Sequence, residues 1–283
     1  MPDPSSPAAP LAPSIDPAVE LPLLLQTAAA AAREIMAVYA SAFSAHQKDD
    51  GSPVTEADLR ADCVIRAGLA QHFAGVPVWS EESDAADGLH ATTPRFFLVD
   101  PLDGTKEFIK RNGEFTINIA LIEHGVPVAA VVQAPALGEV FHAARGVGAF
   151  AARADGSGAH ALRCQPDAAT SVPASLPAAT APLRVLGSRS HGLQQLDAWL
   201  ATLGRPYTLQ SVGSSLKFCR IAQGEADVYP RFGPTSQWDT AAGQCVLEAA
   251  GGRVCDLQGR SLRYGRDRDV INPDFIASAP GAI

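Results

Sequence analysis

The chain has 283 residues, of which 47% are apolar and 18% charged, with a net charge of −8. This length suits one large domain or two packed lobes, and the composition excludes a disordered chain. The acidic balance argues against nucleic acid or an anionic membrane surface as the main partner, so an anionic phosphate ester would need metals or local cations to invert the field.

The five cysteines stand at 63, 164, 219, 245 and 255 with no Cys-x-x-Cys pair. That excludes a disulfide framework or a cysteine zinc site and predicts a reducing, cytoplasmic setting. No run reaches the length of a membrane span. Residues 1–16 are rich in Pro, Ala and Ser, carry no Lys or Arg and lack a signal-peptide core, so a floppy tail is expected.

Along the chain, Val19 to about Phe43 has helical spacing. His46 to Pro53 is a polar loop. Thr55-Glu56-Ala57-Asp58 has the form of a capping box and opens a helix to about Phe73. Val76 to Trp79 is a short strand that runs into Ser80-Glu81-Glu82. After a loop from Asp84 to Pro94 comes a key strand, Arg95 to Val99, ending in Asp100-Pro101-Leu102-Asp103-Gly104-Thr105. Phe115–Ile122, Val128–Ala134 and Glu139–Ala144 predict an antiparallel meander. Ala152 to Ala181 is expected to hold one edge strand and a linker. Beyond it lie strands at Arg184–Gly187, Thr208–Val212, Ala226–Tyr229 and Arg253–Cys255. Helices are predicted at Gln194–Leu203, Leu216–Gln223 and Thr240–Ala250. Hairpins and crossovers mix, which is an α+β or layered αβ class. The expected organisation is a tail (1–16), an N-terminal α+β lobe (17–181) and a C-terminal α/β lobe (182–283).

Four acids stand at element ends: Glu81 after one strand, Asp100 and Asp103 after the next, and Asp239 before a helix. Buried together they would need a counter-charge, because an unpaired buried carboxylate costs several kcal/mol. Hard oxygen ligands of this kind suit Mg²⁺ or Mn²⁺, and carboxylates shared between elements can hold two ions. Asp58 and Thr105 offer a carboxylate–hydroxyl pair that could activate water; the competing reading of Asp58 is a helix cap. Only four of the 22 basic residues are lysine, at 48, 106, 110 and 217, and all lie in or beside these segments. There is no G-x-x-x-x-G-K-[ST] phosphate loop and no G-x-S-x-G. The Asp-x-x-Asp spacing is one residue too long for an aspartyl-phosphate phosphatase of the haloacid dehalogenase type.

Glu81-Glu82, Asp100-Pro-Leu-Asp103-Gly-Thr105 and Trp238-Asp239-Thr-Ala-Ala-Gly243 resemble the lithium-sensitive, magnesium-dependent inositol monophosphatase superfamily. Asp100 to Asn118, Gly213 to Cys219 and Tyr229 to Gly243 are similar to its bacterial 3′(2′),5′-bisphosphate nucleotidases of the CysQ type. The resemblance runs from about Leu21 to the C-terminus. It implies a layered αβαβα sugar-phosphatase sandwich and hydrolysis of adenosine 3′,5′-bisphosphate to AMP and phosphate, in sulfate assimilation. It implies Mg²⁺ as cofactor, with inhibition by Li⁺ and Ca²⁺. Carried over by motif, Glu81, Asp100 and the Leu102 carbonyl would bind one ion, and Asp100, Asp103 and Asp239 a second. Thr105, supported by Asp58, would orient the attacking water, and the Gly104 and Thr105 N–H groups would hold the scissile phosphate. Ser190-His191, Ser214, Lys217 and Arg231 fall where nucleotide and second-phosphate contacts are expected. The added positive charge of Lys217 and Arg231 is what a bisphosphate needs and an inositol monophosphate does not.

Two other readings stand beside this one: a sugar-phosphate phosphatase related to the inositol monophosphatases, and a non-catalytic phosphate sensor. Monomer and homodimer both remain open, as does peripheral contact with the inner face of the membrane.

Overall fold

The computed structural model describes residues 16–48, 51–82, 90, 92–164, 182–188 and 193–283. Helix α1 (Pro17–Tyr39) and, beyond a small hairpin of β1 (Ala45–Gln47) and β2 (Pro53–Thr55), helix α2 (Glu56–His72) pack side by side. They cover one face of a seven-stranded sheet. Its strands follow chain order: β3 (Val78–Ser80), β4 (Arg95–Asp103), β5 (Thr116–Glu123), β6 (Val126–Ala134), β7 (Glu139–Ala144), β8 (Gly148–Arg153) and β9 (His160–Ala161). β3 pairs parallel with β4, and every later pair is antiparallel. Between β4 and β5 lies the short helix α3 (Thr105–Ile109).

The apolar run in β4 is continuous because both faces of the strand are buried, and residues two apart share a face. Phe97 and Val99 join the cluster with Leu24, Ile35 and Ile65 of the first two helices. Phe96 and Leu98 join the opposite cluster. That cluster contains the inner helices, α5 (Leu216–Ala222) and α6 (Gln237–Ala249).

A second sheet lies on the far side of these helices. Its order is β11 (Tyr207–Ser211), β10 (Leu183–Gly187), β12 (Val228–Arg231), β14 (Phe275–Ser278), β13 (Arg253–Asp256). Helix α4 (Leu193–Ala201) closes the stack, with Leu196 and Leu200 on Leu183, Val185 and Val228. The layers read αβαβα, as the resemblance implies.

α5 and α6 approach very closely at Gly243, where an added Cβ would sit 2.4 Å from Phe218 Cδ2. Only glycine permits that approach without displacing one helix.

Several local expectations are corrected. The first helix ends at Tyr39, short of Phe43, and the polar loop before Thr55 is a hairpin. β4 continues through both acids to Asp103, with a register shift between Asp100 and Asp103 that absorbs Pro101. α6 begins at Gln237, so Asp239 lies in its first turn instead of before it. The strand at Phe275–Ser278, too short to carry a pattern of its own, completes the second sheet. The expected edge strand after Ala152 is β9, and the strand β8 before it is not anticipated from the sequence. The tail to residue 15 and most of the expected linker and loop segments lie outside the described residues. Val19–Tyr39 is long and apolar enough by length and composition to cross a membrane. Here Leu24, Ala28, Ala31 and Ile35 are buried against α2 and the sheet.

Candidate active site

The cleft opens where β3 and β4 end, facing the N-terminal end of α6 and the start of α5. Glu81, Asp103, Thr105, Lys217, Arg231 and Asp239 are among its lining residues. Carboxylate oxygens of Glu81, Asp100 and Asp239 lie within 4.8 Å of one another.

Each ligand candidate is fixed by local structure. Asp100 is buried, and its Oδ1 accepts the Leu102 N–H at 3.0 Å, which turns the strand end around the carboxylate. Asp239 stands three residues after the N-cap Ser236, and its Oδ2 accepts from Ser236 N and Thr235 Oγ1, both at 2.8 Å. Asp103 Oδ2 lies 2.9 Å from Ser215 Oγ, which is itself 2.6 Å from the Asp239 carbonyl and accepts from Asn118 Nδ2 at 2.8 Å. Ser215 thus ties β4, β5 and α6 together beneath the acids. Glu81 contacts Lys48 at 2.9 Å, and the same ammonium reaches Glu82 at 2.5 Å.

Burial first, then repulsion from neighbouring carboxylates, raises the proton affinity of Asp100, Asp239 and Glu81. Asp100 is held well above the usual carboxylate range by burial and by Glu81, Asp103 and Asp239. Burial, Asp103 and Glu81 push Asp239 up to about 7. Burial raises Glu81 even though Lys48 opposes it. Buried hard oxygens that repel one another and converge from three elements fit a divalent cation of the Mg²⁺ kind.

The hydroxyl–carboxylate pair is formed. Thr105 Oγ1 donates to Asp58 Oδ1 at 3.2 Å and lies 3.4 Å from the Leu102 carbonyl. Asp58 is also a cap: its Oδ2 accepts from Thr55 N at 2.8 Å and Thr55 Oγ1 at 2.7 Å. Both readings of Asp58 therefore hold at once, one on each oxygen. Gly104 takes φ +93°, a left-handed conformation that favours glycine, and it redirects the chain from β4 into α3.

Lys217 is buried, with Nζ donating to the carbonyls of Val212 (3.1 Å) and Ser214 (2.6 Å) and lying 5.0 Å from the centre of the Tyr229 ring. Burial lowers its pKa to about 8, with Asp103 pulling upward and Arg231 pushing down. Arg231, also buried, donates to the Pro234 carbonyl. Ser214 sits at φ +46° with its hydroxyl buried and unpartnered among the described residues. Ser190 and His191 lie outside the described residues. Of the lysines, 48, 106 and 217 reach the site, and Lys110 caps the end of α3.

Sequence reasoning misses Ser215, Thr235 and the pairing of Lys48 with Glu81. Ser236 three residues before Asp239 is a capping-box signal that would have set the start of α6 correctly.

Residues 20–283 match the family model of the inositol monophosphatase family. The 3′(2′),5′-bisphosphate nucleotidase CysQ of Salmonella typhimurium is 46% identical over 252 residues, covering 88% of this chain and 96% of the relative. The crystal structure of CysQ from Bacteroides thetaiotaomicron superposes with a TM-score of 0.75 at 37% identity, covering 92% of this chain and 97% of that one. A combined IMPase/NADP phosphatase solved with Mg²⁺ and phosphate reaches a TM-score of 0.70 over 92% of this chain and 89% of its own, at 18% identity, a likeness of fold alone. With the family model matched to the last residue and a relative nearly half identical along almost its entire length, the chain belongs to the inositol monophosphatase family.

Proposed function

We propose that the chain is a Mg²⁺-dependent 3′(2′),5′-bisphosphate nucleotidase that hydrolyses adenosine 3′,5′-bisphosphate to AMP and phosphate, clearing a by-product of sulfate assimilation. One observation carries the reading: a single cleft holds the carboxylate cluster and two buried cations, Lys217 and Arg231. Clustered acids suit metal-assisted hydrolysis of one phosphate, and the cations suit anchoring of a second.

Glu81, Asp100 and the Leu102 carbonyl would hold one ion, and Asp100, Asp103 and Asp239 another, with Mn²⁺ a substitute and Li⁺ and Ca²⁺ inhibitory. Bound Mg²⁺ lowers the pKa of water and neutralises charge on the phosphate. The remaining chemistry belongs to the protein. An ionised Asp58 can only accept, so the Thr105 hydroxyl donates to it and turns an oxygen lone pair toward the cleft. That lone pair accepts from the attacking water and orients it. The Gly104 and Thr105 N–H groups would hold the scissile phosphate. Lys217, Arg231 and Ser214, together with His191 as the resemblance implies, would receive the nucleotide and its second phosphate.

All five cysteines are free thiols, in keeping with a cytoplasmic setting. The test is phosphate release from adenosine 3′,5′-bisphosphate, with and without Mg²⁺, beside inositol 1-phosphate at equal concentration. Mg²⁺-dependent turnover that prefers the nucleotide is expected. Preference for the inositol ester would overturn the substrate and keep the metal site. Turnover of neither would leave a phosphate sensor.

A further inference from the structure

Helix α2 carries a second acid one turn after Asp58. Four residues on, Asp62 rises about 6 Å along the same face. Its Oδ1 accepts from Ser80 Oγ at 2.5 Å. Ser80 is the buried last residue of β3 and immediately precedes Glu81.

The segment that carries Glu81 is also held from other sides. Among the described residues β3, three residues long, lies at the sheet edge and pairs only with β4. The Glu81 N–H donates to the Val99 carbonyl at 3.1 Å, which fixes the main chain from one side. Ser80 Oγ accepts from the Glu82 N–H at 3.4 Å and extends the anchor past Glu81. Lys48 draws both Glu81 and Glu82 onto itself. Asp62 is not one of the three acids that converge within 4.8 Å.

We propose that Asp62 is a positioning residue that, through Ser80, holds Glu81 ready for the divalent cation. The proposal rests on the metal-site reading above. One face of α2 then sets two parts of the site: Asp58 orients the Thr105 hydroxyl, and Asp62 orients the Glu81 turn. A ligand held in place before the cation arrives loses less conformational freedom on binding, and that gain appears as affinity.

The test is calorimetric titration of Mg²⁺ into the full-length protein without substrate, for the wild type, Asp62→Ala, Asp62→Asn, Ser80→Ala and the Asp62→Ala/Ser80→Ala double variant. Asp62→Ala and Ser80→Ala should each weaken Mg²⁺ binding by about three- to tenfold, a fraction of the worth of one hydrogen bond to a charged group, because the lost bond loosens Glu81 without removing a ligand. The double variant should be no weaker than either single one, because both remove the same link. Asp62→Asn keeps an acceptor for Ser80 but loses the charge, so recovery in that variant separates positioning from a field effect. In turnover assays the Mg²⁺ requirement should shift by the same factor, with the KM for the nucleotide unmoved.

Wild-type Mg²⁺ affinity in both alanine variants would overturn the proposal. So would a loss in Asp62→Asn as large as in Asp62→Ala. If Asp62→Ala fails to fold, Ser80→Ala tests the link from its other end. Absence of Mg²⁺ binding by the wild type would overturn the metal site and the proposal together, a result distinct from variants that bind as the wild type does.

Discussion

Replacing Asp58 by Asn separates two jobs that one side chain performs. The carboxylate accepts three hydrogen bonds, from Thr55 N, Thr55 Oγ1 and Thr105 Oγ1. Bonds to an ionised group are worth about 1.5–3 kcal/mol each, so a simple sum would predict severe destabilisation. Burial works against that sum, since it raises the pKa of Asp58 and makes the charged form costly in the fold. Asparagine relieves this cost and can still accept from Thr55 N, so the net loss should be about 1 kcal/mol, the scale of an N-cap. Activity should respond on a different scale. An amide nitrogen facing Thr105 donates instead of accepting, which reverses the hydroxyl and removes its lone pair from the water. The expected fall in kcat is about 100- to 10,000-fold, the range for a positioned proton acceptor. Thr55→Ala should lose similar stability, about 1 kcal/mol, but keep activity. Thr105→Val should lose activity with little change in stability. The assay is phosphate release at saturating Mg²⁺ paired with urea unfolding of the same preparations. If Asp58→Asn retains activity within about threefold, the water-orienting role is wrong and Asp58 is only a cap.

Asp103→Asn should give a folded protein without turnover, and full activity in a phosphate-release assay would remove Asp103 from the ligand set. The kcat/KM for the bisphosphate should fall as pH rises through about 8, where Lys217 loses its proton. A substrate without the second phosphate should lack that limb, and Lys217→Met should abolish it; an unchanged limb in that variant would assign it elsewhere. Without metal, Asp239 (raised to about 7), Asp100 and Glu81 bind protons more tightly in the folded chain than in the unfolded one. The metal-free protein should therefore lose stability as pH rises from about 4, the ordinary carboxylate value, toward neutrality. Mg²⁺ should reverse the trend in denaturant melts at neutral pH, adding about 2.7 kcal/mol at a hundredfold excess over its Kd. A flat metal-free profile would mean that the acids do not repel one another as their burial implies.

What could be read from the sequence was local. The capping box at Thr55 and Asp58, the carboxylates on either side of Pro101 and the apolar runs of the meander all act within a few residues. They survive in the structure nearly as read. The partners that complete the site come from far along the chain. Lys48 meets Glu81 across 33 residues, and Ser215 meets Asp103 across 112. Nothing in either neighbourhood marks such a pairing. Asp62 reads as an ordinary helix-surface acid until the fold brings Ser80 beside it. The strand at Phe275–Ser278 is four residues long, and its pairing with Val228–Arg231 comes from tertiary packing, not from its own pattern.

The close approach at Gly243 changes what the segment from Trp238 to Gly243 signifies. Its acid is a proposed metal ligand, but its glycine is a clearance. A methyl group there would press on Phe218 and lever away the helix that also carries Lys217. The string thus records two unrelated demands, one for a charge and one for a gap, joined because both fall on the same helix. A chain could keep every charge in that string and still lose its grip on the nucleotide through one added carbon. A search for this activity among distant sequences should therefore weigh the missing side chain as heavily as the charged one.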